Sequence, residues 1–346
     1  VLRTFIVGLG RSGRELHLPV LLRLRRQFPG LFAAAPPLGY DVHPAGGPGG
    51  GPDGDADPDI RTVGSPAAAR AELDPETTVV HVCTPPGERA GVLTELGELG
   101  FGRILVEKPL ADTAGALDEL ESIRDKYGLR IAVVAPWLHS SLTRRLAEIV
   151  DGDRLGRLHR IGIRQHKPRI HRTLNSRSHR TAFDVEPPHA VAVALRLAGD
   201  AEVAHAALTD VNVCGRRVPG MGGAELGLRH RSGAVSRVEC DLTSPRRERR
   251  IELDFESGRA VGHYPVGSED HYAHLTVSPA GGTPEDSVFP DLALDACLLD
   301  TYRHFAGELG DAAALDEELQ RQMRLVRLLD AAKHLSGTTT ESPDAG

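Results

Sequence analysis

Arg3-Thr4-Phe5-Ile6-Val7-Gly8-Leu9-Gly10-Arg11-Ser12-Gly13 is the stretch that decides the fold. Its apolar run reads as a buried strand, and residues 16–28 carry leucines at helical spacing with arginines opposite. The glycines between them follow the pattern Gly-x-Gly-x-x-Gly. Gly8 allows a tight turn, Gly10 lets the backbone approach a diphosphate, and Gly13 lets the helix pack close to the strand. The helix N-terminus favours negative charge. A strand, this turn and a helix in that order point to dinucleotide binding, with Gly8, Gly10, Arg11, Ser12 and Gly13 as candidate cofactor-binding residues. A methyltransferase, which also opens on a glycine-rich loop, is the competing reading of the turn alone.

The rhythm continues outward from that turn. Residues 39–42 end a second strand. Residues 44–58, PAGGPGGGPDGDADP, are dense in Gly and Pro and read as a mobile loop. Strands are expected at 78–83, 103–106 and 130–134, and helices at 87–99 and 113–127. Strands alternating with helices imply right-handed crossovers and a doubly wound parallel sheet covered on both faces, an α/β class.

After about residue 136 the pattern changes. Helices are expected at 142–150, 188–197, 295–309 and 315–335. A half-exposed strand is expected at 158–165, and residues 202–264 read as an antiparallel meander. The expectation is a Rossmann dinucleotide-binding domain over 1–135. A C-terminal α+β domain with an open, mostly antiparallel sheet follows over 136–335, for substrate binding and oligomerisation, and then a flexible tail over 336–346.

Composition narrows the function classes. The 346 residues are 40 % hydrophobic and 26 % charged, with 41 Lys+Arg against 48 Asp+Glu. A net charge of −7 argues against nucleic acid or an anionic membrane surface as the main partner. No apolar run approaches the ~20 residues of a membrane helix, and the first residues enter a strand directly, without the pattern of a signal peptide. Cys83, Cys214, Cys240 and Cys297 are widely spaced and read as reduced core residues of a cytoplasmic protein, with no metal site. Lysine occurs only four times, at 108, 126, 167 and 333.

Asp41 ends the second strand. A carboxylate there accepts hydrogen bonds from ribose hydroxyls and repels a 2′-phosphate, which favours NAD, although Arg11 and His43 leave NADP open. The equal alternative is an Asp capping a turn. Glu107-Lys108-Pro109 follows the 103–106 strand, at the strand end where ligands of such sheets lie. A lysine beside a nicotinamide cation has its ammonium form disfavoured and can exchange a proton with a hydroxyl. A solvated surface turn is the plainer alternative.

Taken together, the glycine turn, the strand ending His81-Val82-Cys83-Thr84-Pro85 and the Val106-Glu107-Lys108-Pro109-Leu110 segment resemble the Gfo/Idh/MocA oxidoreductases, the family of glucose–fructose oxidoreductase and inositol dehydrogenase. The resemblance covers nearly the whole chain. It implies that Thr84 and Pro85 line the nicotinamide side, with Glu107 beside them. It implies that Lys108 contacts the substrate hydroxyl through a Lys-Pro bond that is often cis in the family. It also implies a proton-accepting His in the stretch Phe183-Asp184-Val185-Glu186-Pro187-Pro188-His189, with an acid four residues before it. His189 matches the His. Val185 stands at the acid's spacing, so Asp184 or Glu186 takes that role.

Two further positions depart from the family pattern. Arg89 stands where members carry a His, and Ala135-Pro136-Trp137-Leu138-His139 replaces a common Asn-x-Arg. Trp137 walls the nicotinamide or substrate, or seals a junction. The His- and Arg-rich residues 164–172 and 175–180 lack metal-ligand spacing. They read mostly as a solvated strand and loop, with Lys167 and Arg169 as a basic lining for a polar or phosphorylated substrate. The run Arg246 to Arg250 reads as a solvated face or a subunit edge.

The resemblance implies an NAD(P)-dependent oxidoreductase acting on a secondary alcohol or ketone of a sugar, sugar derivative or cyclitol, as a homodimer or homotetramer. The alternatives are an NAD-dependent glycoside hydrolase on the same fold and a non-catalytic cofactor-binding regulator.

Overall fold

The computed structural model describes residues 1–42, 59–175, 179–267, 269–310 and 312–337. The expectations for His43, for the 44–58 loop and for the tail beyond 337 lie outside the described residues, as do residues 176–178 of the basic stretch. The chain divides into two compact units. One comprises Val1–Val134 with Leu294–Met323, and the other Ala135–Ala293 with the residues from Arg324 onward.

The first unit is built on a six-stranded parallel sheet. Its strands are β1 (Arg3–Val7), β2 (Leu38–Tyr40), β3 (Arg61–Thr62), β4 (Thr78–Val82), β5 (Arg103–Val106) and β6 (Arg130–Val133), in the order β3-β2-β1-β4-β5-β6. β1 pairs in parallel with both β2 and β4, and β4 with β5. This is the doubly wound arrangement, in which the order reverses between β1 and β4 and opens a crevice at the strand C-termini. Every residue of β4 is buried, which is why the sequence there shows no alternation.

Around the sheet run α1 (Leu18–Gln27), α2 (Pro66–Glu72), α3 (Arg89–Glu98) and α4 (Ala114–Tyr127). α1 buries Leu18, Val20, Leu21 and Leu24. α4 starts where the Thr113 hydroxyl accepts from the Ala116 N–H and stops at Gly128, whose φ of 63° is left-handed. The segment from Leu294 completes the core, where Cys297, Leu298, Tyr302 and Phe305 join Leu21, Leu24 and Phe32.

In the second unit, α5 (Pro136–His139) and α6 (Ser141–Asp151) precede β7 (Leu158–His166), α7 (Ile170–Asn175) and α8 (Pro187–Ala198). An eight-stranded sheet follows, completed by β8 (Ala201–Val213), β9 (Arg216–His230), β10 (Val235–Asp241), β11 (Glu248–Phe255), β12 (Gly258–His263), β13 (Tyr272–Pro279) and β14 (Glu285–Pro290). Helices α9 (Ala293–Ala306) and α10 (Ala312–Leu335) close the described chain. Among the described residues no helix is long and apolar enough to cross a membrane.

The sheet order is β14-β13-β12-β11-β7-β10-β9-β8. The single meander expected over 202–264 is therefore two meanders, with β7 inserted between β10 and β11. β7 is parallel to β10 and antiparallel to β11, with Ile163 facing both Val238 and Ile251. Ile161 and Ile163 of β7, Val238 of β10 and Ile251 and Leu253 of β11 are buried on one face. The other face is a lattice of charges, including Arg164–Glu239 at 3.2 Å, Arg237–Glu239 at 2.9 Å and Arg250–Glu252 at 2.7 Å.

One sequence expectation, that Cys214 lies in the core, is corrected here. The arginine run at 246–250 leads into β11, an interior strand of the sheet, with Arg246 and Arg247 exposed as a solvated face requires. Its alternation is that of a two-faced sheet: Arg250 lies among the charges while burial lowers the pKa of Arg249. Cys214 is exposed, unlike buried Cys240 and Cys297. It sits with Gly215 at the two-residue turn between β8 and β9, both at positive φ (48° and 72°), where hairpin geometry outweighs the thiol's preference for the core.

Candidate active site

The C-terminal edge of the parallel sheet gathers the glycine turn, Asp41, Thr84-Pro85 and Glu107-Lys108-Pro109. Gly8 has φ of 96°, and a Cβ there would lie 3.0 Å from the Cys83 backbone. A Cβ on Gly13 would lie 2.1 Å from the Gly8 carbonyl oxygen. Those two positions are closed by the protein itself. A Cβ on Gly10 would meet no atom within 4 Å, so the turn is open on that side to a ligand backbone. Asp41 secures the turn, its Oδ2 accepting from the Leu9 N–H at 2.6 Å.

Behind the turn the chain winds as a π-helix over Arg11–His17 before α1 begins. The wider winding was not visible in the residue pattern. It ends with His17 fully buried. On the next strands, the Thr84 hydroxyl oxygen is buried with no protein hydrogen-bond partner, and the Thr84 carbonyl accepts from Arg89 at 3.2 Å. An orphaned hydroxyl at a strand end, on the sheet edge that carries the glycine turn, fits a polar ligand such as the nicotinamide half of a dinucleotide.

Among the described residues Arg89 is the largest fully buried side chain. It donates to the carbonyls of Pro109, Leu110 (2.9 Å) and Thr84. Burial lowers its pKa to about 10, so it stays charged, with Glu107 the nearest compensating carboxylate. Sequence reasoning marked Arg89 only as a departure. The structure shows a guanidinium that grips both strand-end turns. The Lys108–Pro109 bond is cis, as the resemblance implies.

Glu107 faces inward. Its Oε1 lies 2.9 Å from His17 Nε2, and its Oε2 accepts from the Lys108 N–H at 3.1 Å. His17 Nδ1 lies 2.8 Å from His81 Nδ1, His81 Nε2 lies 3.0 Å from the Tyr302 hydroxyl, and that hydroxyl lies 2.6 Å from Thr4 Oγ1. Burial would lower the His17 pKa, but the Cys83 sulfur at 3.6 Å and the Glu107 carboxylate outweigh it and raise it well above 6.5. His81, buried and facing charged His17, is driven well below 6.5 and is neutral. Burial pushes the Glu107 carboxyl up, and the bond and charge of His17, with Lys108 and Arg89, more than reverse this.

His189, the other candidate for the proton, belongs to the second unit. It is the third residue of α8 and stacks on Trp137 (5.8 Å between centroids, 21° between planes). Trp137 stacks in turn on Tyr264 at 4.0 Å. Tyr264 is held by Thr143 at 2.8 Å, and burial raises its pKa.

The two candidate acids have separate commitments. Asp184 closes a capping box with Thr181, and its Oδ1 meets Lys333 Nζ at 2.5 Å, with both side chains buried. Glu186 is ion-paired with Lys167 and accepts from Gln165 at 3.4 Å. Its carbonyl takes the His189 N–H at 3.0 Å, so Glu186 is the acid on the same helical turn as His189. Lys167 thus faces a carboxylate, and Arg169 is buried nearby in sequence. Lys333, two residues before the end of α10, carried no sequence signal as a partner of Asp184.

No family profile and no curated protein sequence matches the chain. Solved structures do. KijD10, a 3-ketoreductase from Actinomadura kijaniata seen with NADP and TDP-benzene, superposes with a TM-score of 0.73 at 16 % identity, over 96 % of this chain and 97 % of that one. An oxidoreductase from Agrobacterium radiobacter, seen with NAD+, L-tartaric acid and magnesium, gives 0.69 at 15 % identity, over 97 % and 96 %. At such identities the likeness is one of fold: a Rossmann-like parallel sheet followed by a mostly antiparallel sheet.

Proposed function

We propose that this protein is an NAD(P)-dependent oxidoreductase that interconverts a secondary alcohol and a ketone on a sugar, sugar derivative or cyclitol. The observation that carries the reading is the convergence, on one sheet edge, of a glycine turn open at Gly10, Asp41, the orphaned Thr84 hydroxyl and Lys108 on its fixed turn. The nicotinamide, when bound, supplies or accepts the hydride at its C4. Gly8, Gly10, Arg11, Ser12 and Gly13 would hold its diphosphate, Asp41 its adenosine ribose, and Thr84 and Pro85 its nicotinamide side.

Lys108 gives a proton to the carbonyl oxygen as the ketone is reduced, and takes it from the hydroxyl in the reverse direction. His189, in the second unit, is the second candidate for that exchange. KijD10 is a 3-ketoreductase seen with a TDP derivative, which supports adding nucleotide-linked keto sugars to the candidates. Asp41 supports NAD over NADP.

The test is a fluorescence titration with NADH and NADPH, followed by a turnover screen on keto sugars, sugar nucleotides and cyclitols. Wild type is expected to bind NADH more tightly than NADPH. Lys108→Met is expected to keep that binding and to lose at least about 100-fold in kcat. A folded protein that binds neither cofactor sinks the reading.

A further inference from the structure

His17 and His81 take no part in the chemistry above, yet both are fully buried. A buried imidazole is costly unless its nitrogens are satisfied. Here all four ring nitrogens have partners, and the bonds form one chain through the core of the first unit, with Cys83 Sγ as a side contact of His17 Nδ1 at 3.6 Å. It runs from Glu107 through His17, His81 and Tyr302 to Thr4, with steps of 2.9, 2.8, 3.0 and 2.6 Å.

The hydrogens along it can be assigned without conflict. Two nitrogens that face each other share one hydrogen. A doubly protonated His17 donates from Nε2 to Glu107 and from Nδ1 to His81. His81 then carries its single proton on Nε2 and donates to Tyr302, and the Tyr302 hydroxyl donates to Thr4. The groups facing His17 are His81 and Cys83 from β4 and the residue after it, and Glu107 after β5. Arg89 and Lys108 face Glu107 in turn.

The far end of the chain matters most. Glu107 uses one oxygen for His17 and the other for the backbone N–H of Lys108. A carboxylate held at both oxygens cannot rotate without breaking one of the bonds. Arg89 holds the same turn from its other side, at the Pro109 and Leu110 carbonyls. Lysine reaches its target through four rotatable bonds, so the direction in which its main chain is launched decides where the ammonium can go.

We propose that His17 is a positioning residue for Lys108: it fixes the Glu107 carboxylate, which fixes the main chain from which Lys108 extends, while His81, Tyr302 and Thr4 hold the imidazole from behind. The proposal rests on the reading that Lys108 works at the substrate oxygen. The class of reaction it serves is proton exchange at that oxygen, and His17 acts on it only through Glu107.

The scarcity of lysine makes the test direct. With 15N-labelled lysine the protein gives four backbone amide signals, from Lys108, Lys126, Lys167 and Lys333. Lys126 lies in α4 of the same unit and is the reference. In His17→Leu, hydrogen exchange at the Lys108 amide is expected to speed at least about fivefold relative to Lys126. In His17→Gln, whose side-chain amide still donates to Glu107, the ratio is expected to return to within about twofold of wild type.

An unchanged ratio in folded His17→Leu overturns the proposal, and so does a His17→Gln that exchanges as fast as His17→Leu. General loosening would speed Lys126 equally and counts against it. If His17→Leu does not fold, His17→Asn replaces it, since its shorter amide falls short of Glu107. Exchange is read without cofactor or substrate. A Lys108→Met protein that still turns over would therefore sink the catalytic reading while leaving the hydrogen-bond result standing, so the two failures are distinguishable.

Discussion

Arg89 is a single cation that closes three backbone carbonyls around the strand-end turns. Removing it leaves Thr84, Pro109 and Leu110 with unmet acceptors and Glu107 with less compensating charge. Arg89→Leu is expected to lose about 3 kcal/mol of stability in urea unfolding followed by circular dichroism. The Glu107–His17 pair gives a pH signature. Glu107 is held below 4.5 in the folded state, so its contribution is present above that value and is lost as pH falls through the folded pKa. His17 is raised above 6.5, so its contribution is present below that value and is lost as pH rises through its folded pKa. The stability advantage of wild type over Glu107→Gln is therefore expected to be full between about pH 4.5 and 6.5 and to shrink on both sides, as urea unfolding at several pH values would show. At this scale the sequence displayed the residues that stand next to each other in the chain: Gly8 to Gly13, and Glu107 with Lys108. It hid partners that only folding brings together, such as Lys333 for Asp184 and Tyr302 for His81. A buried pair leaves no periodicity to read.

Elements add constraints that single residues do not carry. Gly10 and Gly13 belong to one turn but face opposite surroundings. Gly13→Ala would drive a Cβ into the Gly8 carbonyl and push the π-helix off β1, so it is expected to weaken both thermal stability and NADH binding. Gly10→Ala meets no protein atom, and Gly10 has an ordinary φ of −69°. It is expected to leave the melting temperature within a few degrees of wild type while weakening NADH binding about tenfold or more, which paired thermal and fluorescence titrations would separate. Five of the six strands of the first unit, and α1, α3 and α4, were legible because buried apolar runs alternate with helical spacing; the two-residue β3 and the short, Ala-rich α2 carry too little apolar pattern to read. The π-helix was not legible, because an inserted residue leaves the leucine spacing of α1 intact. The insertion of β7 between β10 and β11 was equally invisible. Alternation tells which face of a strand is buried, and is silent on which strand lies beside it.

For the whole molecule, one face of the eight-stranded sheet carries a lattice of Arg and Glu, and we propose it as the face where subunits meet. Sedimentation is expected to give a mass of two or four chains, and Arg237→Glu combined with Arg250→Glu is expected to shift it toward one. The order of the two domains could be read from the change of rhythm near residue 136, but the grouping of Leu294–Met323 with the first unit could not, since a helix shows that it has an apolar face and not which surface receives it. That grouping has a consequence for how the protein is made. Once Val134 has been translated all six strands of the parallel sheet exist, yet Cys297, Leu298, Tyr302 and Phe305 have still to be made. Until they arrive, Leu21, Leu24 and Phe32 lack part of their cover, His81 lacks its hydroxyl partner, and most of the second unit's sequence is made in between. The first unit is thus begun before the second and completed only once Leu294–Met323 has been made, so its apolar core stays open while most of the second unit is synthesised.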